Sequence, residues 1–423
     1  MKKAFLLSIA LLPALTLPAK EKIILVNEGM WQTDNGQLTY FEDGEVVSNQ
    51  WFRDVNGRKL GDTPNDIILV NDGIIAIAAN WSNIIQFITP DGKAVGETED
   101  VPNNRKLASD GRYVYVTSYA HEVGIDGDFR QFEKGYVAKI DATTFKTVDA
   151  VEVGYEPEGI ALYGGHLFVA NSGGYSFQEG HDYEHSVSVI DPATMKVVRT
   201  VDVEQINLYS KVSLSGQYLC INSPGDYYET PAATVILDCR AVLDGKPDAE
   251  CFVLLPVAST SNTADTDGNF LTVGSSYSYL TGEYEFHYCT INPEEVCLSR
   301  GEAGVYIGLP GSVEEGIAGM AMPYSIFVNP YSGYIYATDA GEYTGAGAMY
   351  QWDPEGNFLG KHKTYINPGH FLALPPEKPQ NGVTAPATDL PEMEGAIYNM
   401  QGIRVKNPIS GNIYIKNGKK IIF

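Results

Sequence analysis

Residues 154–174 read GYEPEGIALYGGHLFVANSGG, and residues 185–203 continue as HSVSVIDPATMKVVRTVDV. In the first stretch a turn glycine, Gly165, precedes the apolar strand LFVAN, which ends on the polar Asn171 and soon reaches an aromatic, Tyr175. In the second, SVSVID enters a Pro/Thr turn and another strand returns, which is hairpin chemistry. The strands are rich in β-branched and aromatic residues, as a pleated, half-buried surface requires. The whole reads as one antiparallel unit of four strands.

The unit recurs. Seven apolar strands, IILVN, IIAIAAN, YVYVTS, LFVAN, YLCIN, FLTVGS and YIYATD, each end on a small polar residue followed within a few positions by an aromatic. Turn glycines Gly73, Gly111, Gly165, Gly216, Gly268 and Gly333 precede six of them, at the spacing of propeller blades with variable insertions. Six complete units cover approximately 66–97, 105–153, 156–203, 209–255, 260–307 and 322–363. The three strands near the N-terminus and one near residues 369–374 make a seventh. The expected fold is an all-β, seven-bladed propeller over residues 20–374, closed by joining the chain ends, which protects the edge strands.

Around this domain, residues 1–19 carry Lys2, Lys3, an apolar run and a small-residue exit, the pattern of a secretory signal peptide and too short for a membrane span. Residues 375–394 are Pro-rich and polar and read as a linker, and residues 395–423 return to alternating strands as a short β tail. The formal charge of −24 with no basic patch excludes nucleic acid as a partner. An exported chain is free to form disulfides. Cys239 and Cys251 flank one turn and Cys289 and Cys297 another; if each turn joins adjacent strands, both pairs come within bridging distance. The expectation is two disulfides with Cys220 buried and free, the alternative being five small core hydrophobes.

The blade text quoted above, with GYVAKIDATTFKTVDAVEVG before it, resembles the YVTN and YncE-like seven-bladed propellers. A narrower resemblance lies in VNEGMWQTDNGQLTYF and NGRKLGDTPNDIILVNDGIIAIAANWSNIIQFI, which look like the surface-exposed cobalamin-binding propellers of Bacteroidetes. It touches Asn27, Glu28, Gly29, Trp31, Gly61, Asn80, Trp81 and 171–174, and implies capture of a corrinoid for a TonB-dependent outer-membrane transporter. Those proteins are lipid-anchored, whereas no Cys follows the apolar run here, and the later blades follow the pattern poorly. The tail IYNMQGIRVKNPISGNIYIKNGKK resembles type IX secretion sorting tails, which implies the cell surface or the extracellular space, with the periplasm as the alternative.

In a four-stranded blade the loop between the second and third strands opens on the same face as the connection between blades. Trp31, Trp81, Tyr119, Tyr175, Tyr227, Tyr277 and Tyr343 are therefore expected to ring one channel mouth, above Asn27, Asn80, Ser118, Asn171, Asn222, Ser275 and Asp339. Aromatic bodies with polar tips suit flat ligands, sugars and peptides. The competing reading is that the Asn residues close turns and the aromatics pack. In the loop SGGYSFQEGHDYEHS, His181 and His185 would share a face only on a helix, and Gly180 argues for a loop, so no metal is assigned. No catalytic motif and no phosphate cradle appears, and Asp62, Asp66, Asp126 and Asp128 read as solvated surface. The expectation is a non-enzymatic, cofactor-free ligand-binding propeller; a scaffold or adhesin for a protein or glycan, and a propeller hydrolase or lactonase, are the alternatives.

Overall fold

A computed structural model of the chain describes residues 21–123, 133–176, 181–278 and 282–376, and four short tail strands. Seven antiparallel sheets of four strands each form the blades. Blade 1 joins both ends of the domain, with Pro368–Ala373 innermost, then Lys22–Asn27, Gln37–Glu42 and Glu45–Ser48. Its closing register pairs Ile23 with Ala373 and Val26 with His370. Blades 2 to 7 follow in chain order. Their inner strands are Pro64–Asn71, Asn104–Ser109, Pro157–Tyr163, Tyr209–Ser215, Ser261–Ala264 and Pro323–Val328. Each inner strand touches the next, and Pro368–Ala373 touches Pro64–Asn71, which completes the ring around a central channel.

Side-chain alternation explains why the second strand of each blade is apolar throughout. Successive residues point to opposite faces, and both faces of a blade meet a neighbour. Ile23 and Leu25 enter the seam with blade 7, beside Tyr336 and Met349, while Ile24 and Val26 enter the seam with blade 2, beside Ile75 and Ile77. Seven apolar clusters occupy the seven seams in this way. Each fully buried Ile, Leu or Phe contributes about 1.5–3 kcal/mol. The core is thus a set of radial layers, and the channel is free to be polar.

The turn glycines act as expected in five places, Gly111, Gly165, Gly216, Gly268 and Gly333 all having positive φ. The flanking strands pair antiparallel, but the turns expected between Cys239 and Cys251 and between Cys289 and Cys297 are corrected. Helices α2 (Cys239–Leu243), α3 (Asp248–Cys251) and α4 (Pro293–Ser299) stand there, because Asp238 and Asn292 accept from the backbone N–H of Ala241 and Glu295 as helix caps. The disulfide pairings fall with them, since the structure holds all five cysteines as free thiols. Cys239 opens α2 and Cys251 closes α3, where the Cys251 thiol donates to the Pro247 carbonyl at 3.3 Å. Cys220 and Cys289 are buried in the seam of blades 5 and 6, with Cys297 packed against them. Burial pushes the Cys297 thiol up to about 12, the range of an inert packing group.

The residues expected as the signal peptide, and 377–394 of the linker, lie outside the described residues. The tail strands Ile397–Tyr398, Arg404–Val405, Ile413–Lys416 and Lys419–Ile422 pair in a separate sheet. Among the described residues no helix is long and apolar enough to cross a membrane.

Candidate functional site in the channel

Six blades build the channel wall by one device. A residue at or next to the end of the second strand, polar in five of the six, pairs with the first residue of the inner strand: Asn27 with Pro368, Ser118 with Asn104, Asn171 with Pro157, Asn222 with Tyr209, Asp339 with Pro323, and Ala79, beside Asn80, with Pro64. Immediately afterwards the register slips in each. Bulges of this kind re-aim side chains. The residues they leave unpaired include Asn65, Arg105, Lys106, Glu158, Lys211, Tyr324 and Gly369. Together with Glu28, Tyr209, Tyr343 and His370, most of these line a cavity of about 720 Å³.

The charges in it are paired from blade to blade. Arg105 donates through Nε (2.9 Å) and Nη2 (2.7 Å) to Glu158 Oε1, which also accepts from the Tyr119 hydroxyl. Lys211 Nζ meets Asp66 Oδ1 at 2.7 Å across the channel, and Asp66 Oδ2 accepts from Leu107 N–H at 2.9 Å. Glu28 takes His370 Nε2 at 2.8 Å and the Tyr324 hydroxyl at 2.8 Å. Lys106 Nζ donates to the Asn65 carbonyl at 2.7 Å. Burial works against every charge here, and the partners decide the outcome. His370 and Tyr324 hold Glu28 below the usual carboxylate range despite burial, and Lys211 does the same for Asp66. Burial pushes Lys106 down further than Asp66 and Glu158 lift it. Glu158 Oε2, Asn65 Oδ1, Asn222 Nδ2 and Asn262 Oδ1 are buried with no hydrogen-bond partner, and all but the first belong to cavity-lining residues. Native proteins rarely leave such atoms unmet.

The expected aromatic ring resolves into pairs. Trp31, half exposed, packs edge-to-face on Trp81 at 4.9 Å. Tyr175 meets the buried Tyr119 at 5.4 Å, and Arg105 lies over the Tyr119 ring. Tyr343 meets Tyr324 at 6.0 Å, and Tyr227 is nearly half exposed. Ser275 and Tyr277 lie on the strand Phe270–Ser278, with side chains outside the described residues. The described residues of the polar row beneath are buried, and most of them serve the backbone. Asn27 donates to the Leu25 carbonyl and accepts from Tyr365 N–H, Asn80 donates to the Asn104 carbonyl, and Asn171 accepts from Gly154 N–H. Ser118 donates to the Pro102 carbonyl and Asp339 accepts from Met322 N–H. Of the described residues of that row Asn222 alone lines the cavity.

Of the carboxylates read as surface, Asp66 is in the channel wall and Asp62 is buried, accepting from Asp34 N–H at 2.9 Å. Asp126 and Asp128 lie outside the described residues. Arg105, Lys106, Glu158, Tyr209, Lys211, Tyr324 and His370 were missed. Their signal is a polar or charged residue just inside a strand start, as in PND, NRK, PEG, YSK, PYS and PGH.

No protein-family model and no curated protein matches the chain. Solved structures share its fold. A hydrazine synthase from Kuenenia stuttgartiensis is 15% identical over 73% of this chain and 88% of its own, with TM-score 0.52. A quinonprotein alcohol dehydrogenase-like protein from Bacteroides thetaiotaomicron is 12% identical over 83% and 77%, also at 0.52. A hypothetical selenium-binding protein from Sulfolobus tokodaii is 10% identical over 85% and 93%, at 0.53. These likenesses establish the propeller and leave the narrower YncE-like and cobalamin-binding resemblances on the residues quoted for them. They also correct the expectation of a non-enzyme: an enzyme, the hydrazine synthase, stands among the proteins of this fold, so the architecture gives no ground for excluding catalysis.

Proposed function

We propose that this chain is an exported propeller that binds a ligand at its channel mouth. The observation that carries the reading is the cavity of about 720 Å³, within the roughly 300–1,000 Å³ of small-molecule sites. Its tyrosines suit a flat body, and its unmet amide atoms suit a ligand rich in amides or hydroxyls. A corrinoid has both features, and the likeness of residues 26–41 and 56–88 supports it as the candidate, with a TonB-dependent transporter at the outer membrane as the partner. A molecule of that size exceeds the cavity and would lie across the mouth, on Trp31, Trp81 and Tyr343. Calorimetric titration of the purified protein with cyanocobalamin is expected to give saturable heat, weakened at least tenfold by Trp31→Ala with Trp81→Ala. No heat at micromolar protein would sink the corrinoid reading.

The exposed Trp31, Tyr227 and Tyr343 favour a second reading, a surface scaffold for a protein or glycan. Loss of glycan binding on the same double substitution, without any corrinoid heat, would select it.

A further inference from the structure

The bulge that opens the inner strand of blade 3 sets one amine against the cavity without a counter-charge. Lys106 is 4% exposed and lines the cavity of about 720 Å³. Its backbone is fixed by two neighbours: its N–H donates to Thr117 Oγ1 at 3.0 Å, and the next residue, Leu107, donates its N–H to Asp66 Oδ2 at 2.9 Å. Its Nζ reaches across to blade 2 and donates to one partner, the neutral carbonyl of Asn65 at 2.7 Å, a residue that the bulge of that blade leaves unpaired. The neighbouring cations of the wall are held differently. Arg105 and Lys211 each meet a carboxylate oxygen at 2.7 Å, whereas among the described residues no carboxylate stands within 4.0 Å of Lys106 Nζ.

A buried ammonium with one hydrogen bond and no counter-ion is costly. A neutral amine keeps the same bond through one N–H and has its lone pair free. Burial pushes this amine below the ordinary lysine range against the pull of Asp66 and Glu158, with Arg105 adding to the shift and Glu28 opposing it. A desolvated, fixed amine with a cationic neighbour, facing a cavity that holds a small molecule, has what lysine needs to attack a carbonyl carbon. We propose that Lys106 is a nucleophilic amine that condenses with an aldehyde or ketone in this cavity to form an imine. The nitrogen lone pair forms the C–N bond while the carbonyl π pair moves to oxygen. Both amine protons pass to that oxygen, which leaves as water as the C=N bond forms. No oxidant or reductant is consumed, and hydrolysis returns the amine. The lining tyrosines Tyr209, Tyr324 and Tyr343 suit a carbonyl compound with a flat body. The proposal rests on the ligand reading only in requiring that the cavity admit small molecules, and it adds a covalent activity to binding.

The rival reading is a structural ammonium that braces the Asn65 carbonyl and reacts with nothing. Benzaldehyde with cyanoborohydride, which delivers hydride to an imine and fixes it as a benzylamine, separates the two. With limiting benzaldehyde near pH 7, peptide mapping of the full chain is expected to find Lys106 labelled at least tenfold faster than Lys211, although the Lys211 side chain is 44% exposed. The rate at Lys106 should also reach its plateau at lower pH than the rate at Lys211. In urea, where the fold no longer distinguishes them, the two rates should converge. Lys106→Arg, which keeps the charge and forms no imine, should remove the fast phase from the intact mass. The comparison within the folded parent stands even where that variant does not fold. Labelling of Lys106 no faster than of Lys211 in the parent overturns the proposal. The cyanocobalamin titration is a separate test: fast labelling without heat removes the corrinoid and leaves the amine, and heat without labelling does the reverse.

Discussion

Glu28, Tyr324 and His370 come from opposite ends of the domain, and a glycine lets them meet. A Cβ at Gly369 would stand 2.9 Å from Glu28 Oε1 and 3.1 Å from the Tyr324 ring. The cluster makes stability depend on pH in a definite direction. His370 lies below its ordinary value because of burial and then Lys106, and Glu28 lies below its own because its partners outweigh burial. For both, the unfolded chain binds protons more readily than the folded one. Their contribution is therefore present at neutral pH and lost on acidification, from about pH 6.5 downward for His370 and from about 4.3 for Glu28. Urea midpoints measured from pH 7.5 to 5 should fall for the parent and stay flatter for His370→Gln. Superimposable profiles would show that another group titrates. The sequence displays these residues, but nothing in PGH or PYS says that they share a cavity with residue 28. That is a consequence of ring closure, which brings residues 296 and 342 positions away in the chain against Glu28.

At the scale of elements, the strands were legible and two kinds of feature were not. Strands announce themselves through β-branched and aromatic runs bounded by turn residues, and the predicted units agree with the blades to within a few residues. The bulges that open the inner strands carry no such signal, because they follow from fitting a pleated ladder against a turn residue of positive φ such as Thr63, Asn103 or Glu156. Hence the aromatics at the loop tips were picked out, while the charged residues of the wall were not. The helices were missed for a different reason. Asp and Asn initiate turns and cap helices by the same hydrogen bond, so LDCRAVLDGK and INPEEVCL read equally as hairpins. The capping role makes a prediction. Asp238→Ala removes the acceptor for Ala241 N–H and should cost about 1 kcal/mol in urea unfolding. Asp238→Asn, which retains an acceptor, should recover most of it. Equal losses for the two would point to the Gln217 contact, 3.0 Å from both carboxylate oxygens, as the stabilising one.

For the molecule as a whole, stability rests on a circle whose joint is a single strand. Five seams form between blades made of contiguous chain, whereas the two that flank blade 1 draw on the far end: Phe371 and Ala373 pack with Ile23, Leu25 and Tyr336 in one, and Leu374 joins Ile24, Val26 and Ile77 in the other. The same strand supplies His370 and the Gly369 gap to the channel, so closure and site assembly are one event. A chain ending at residue 363 lacks the inner strand of blade 1 and bares the hydrogen-bonding edge of Lys22–Asn27, which is a template for pairing with other chains. It is expected to associate on light scattering and to lose ligand binding at the mouth. A peptide covering residues 364–376, added in excess, should restore the monomer by strand addition. The parent should ignore the peptide, its edge being already paired. A truncated chain that remains monomeric with an unchanged unfolding midpoint would mean that the five contiguous seams hold the ring without its joint. The channel residues of blade 1 would then have to be placed by something other than closure.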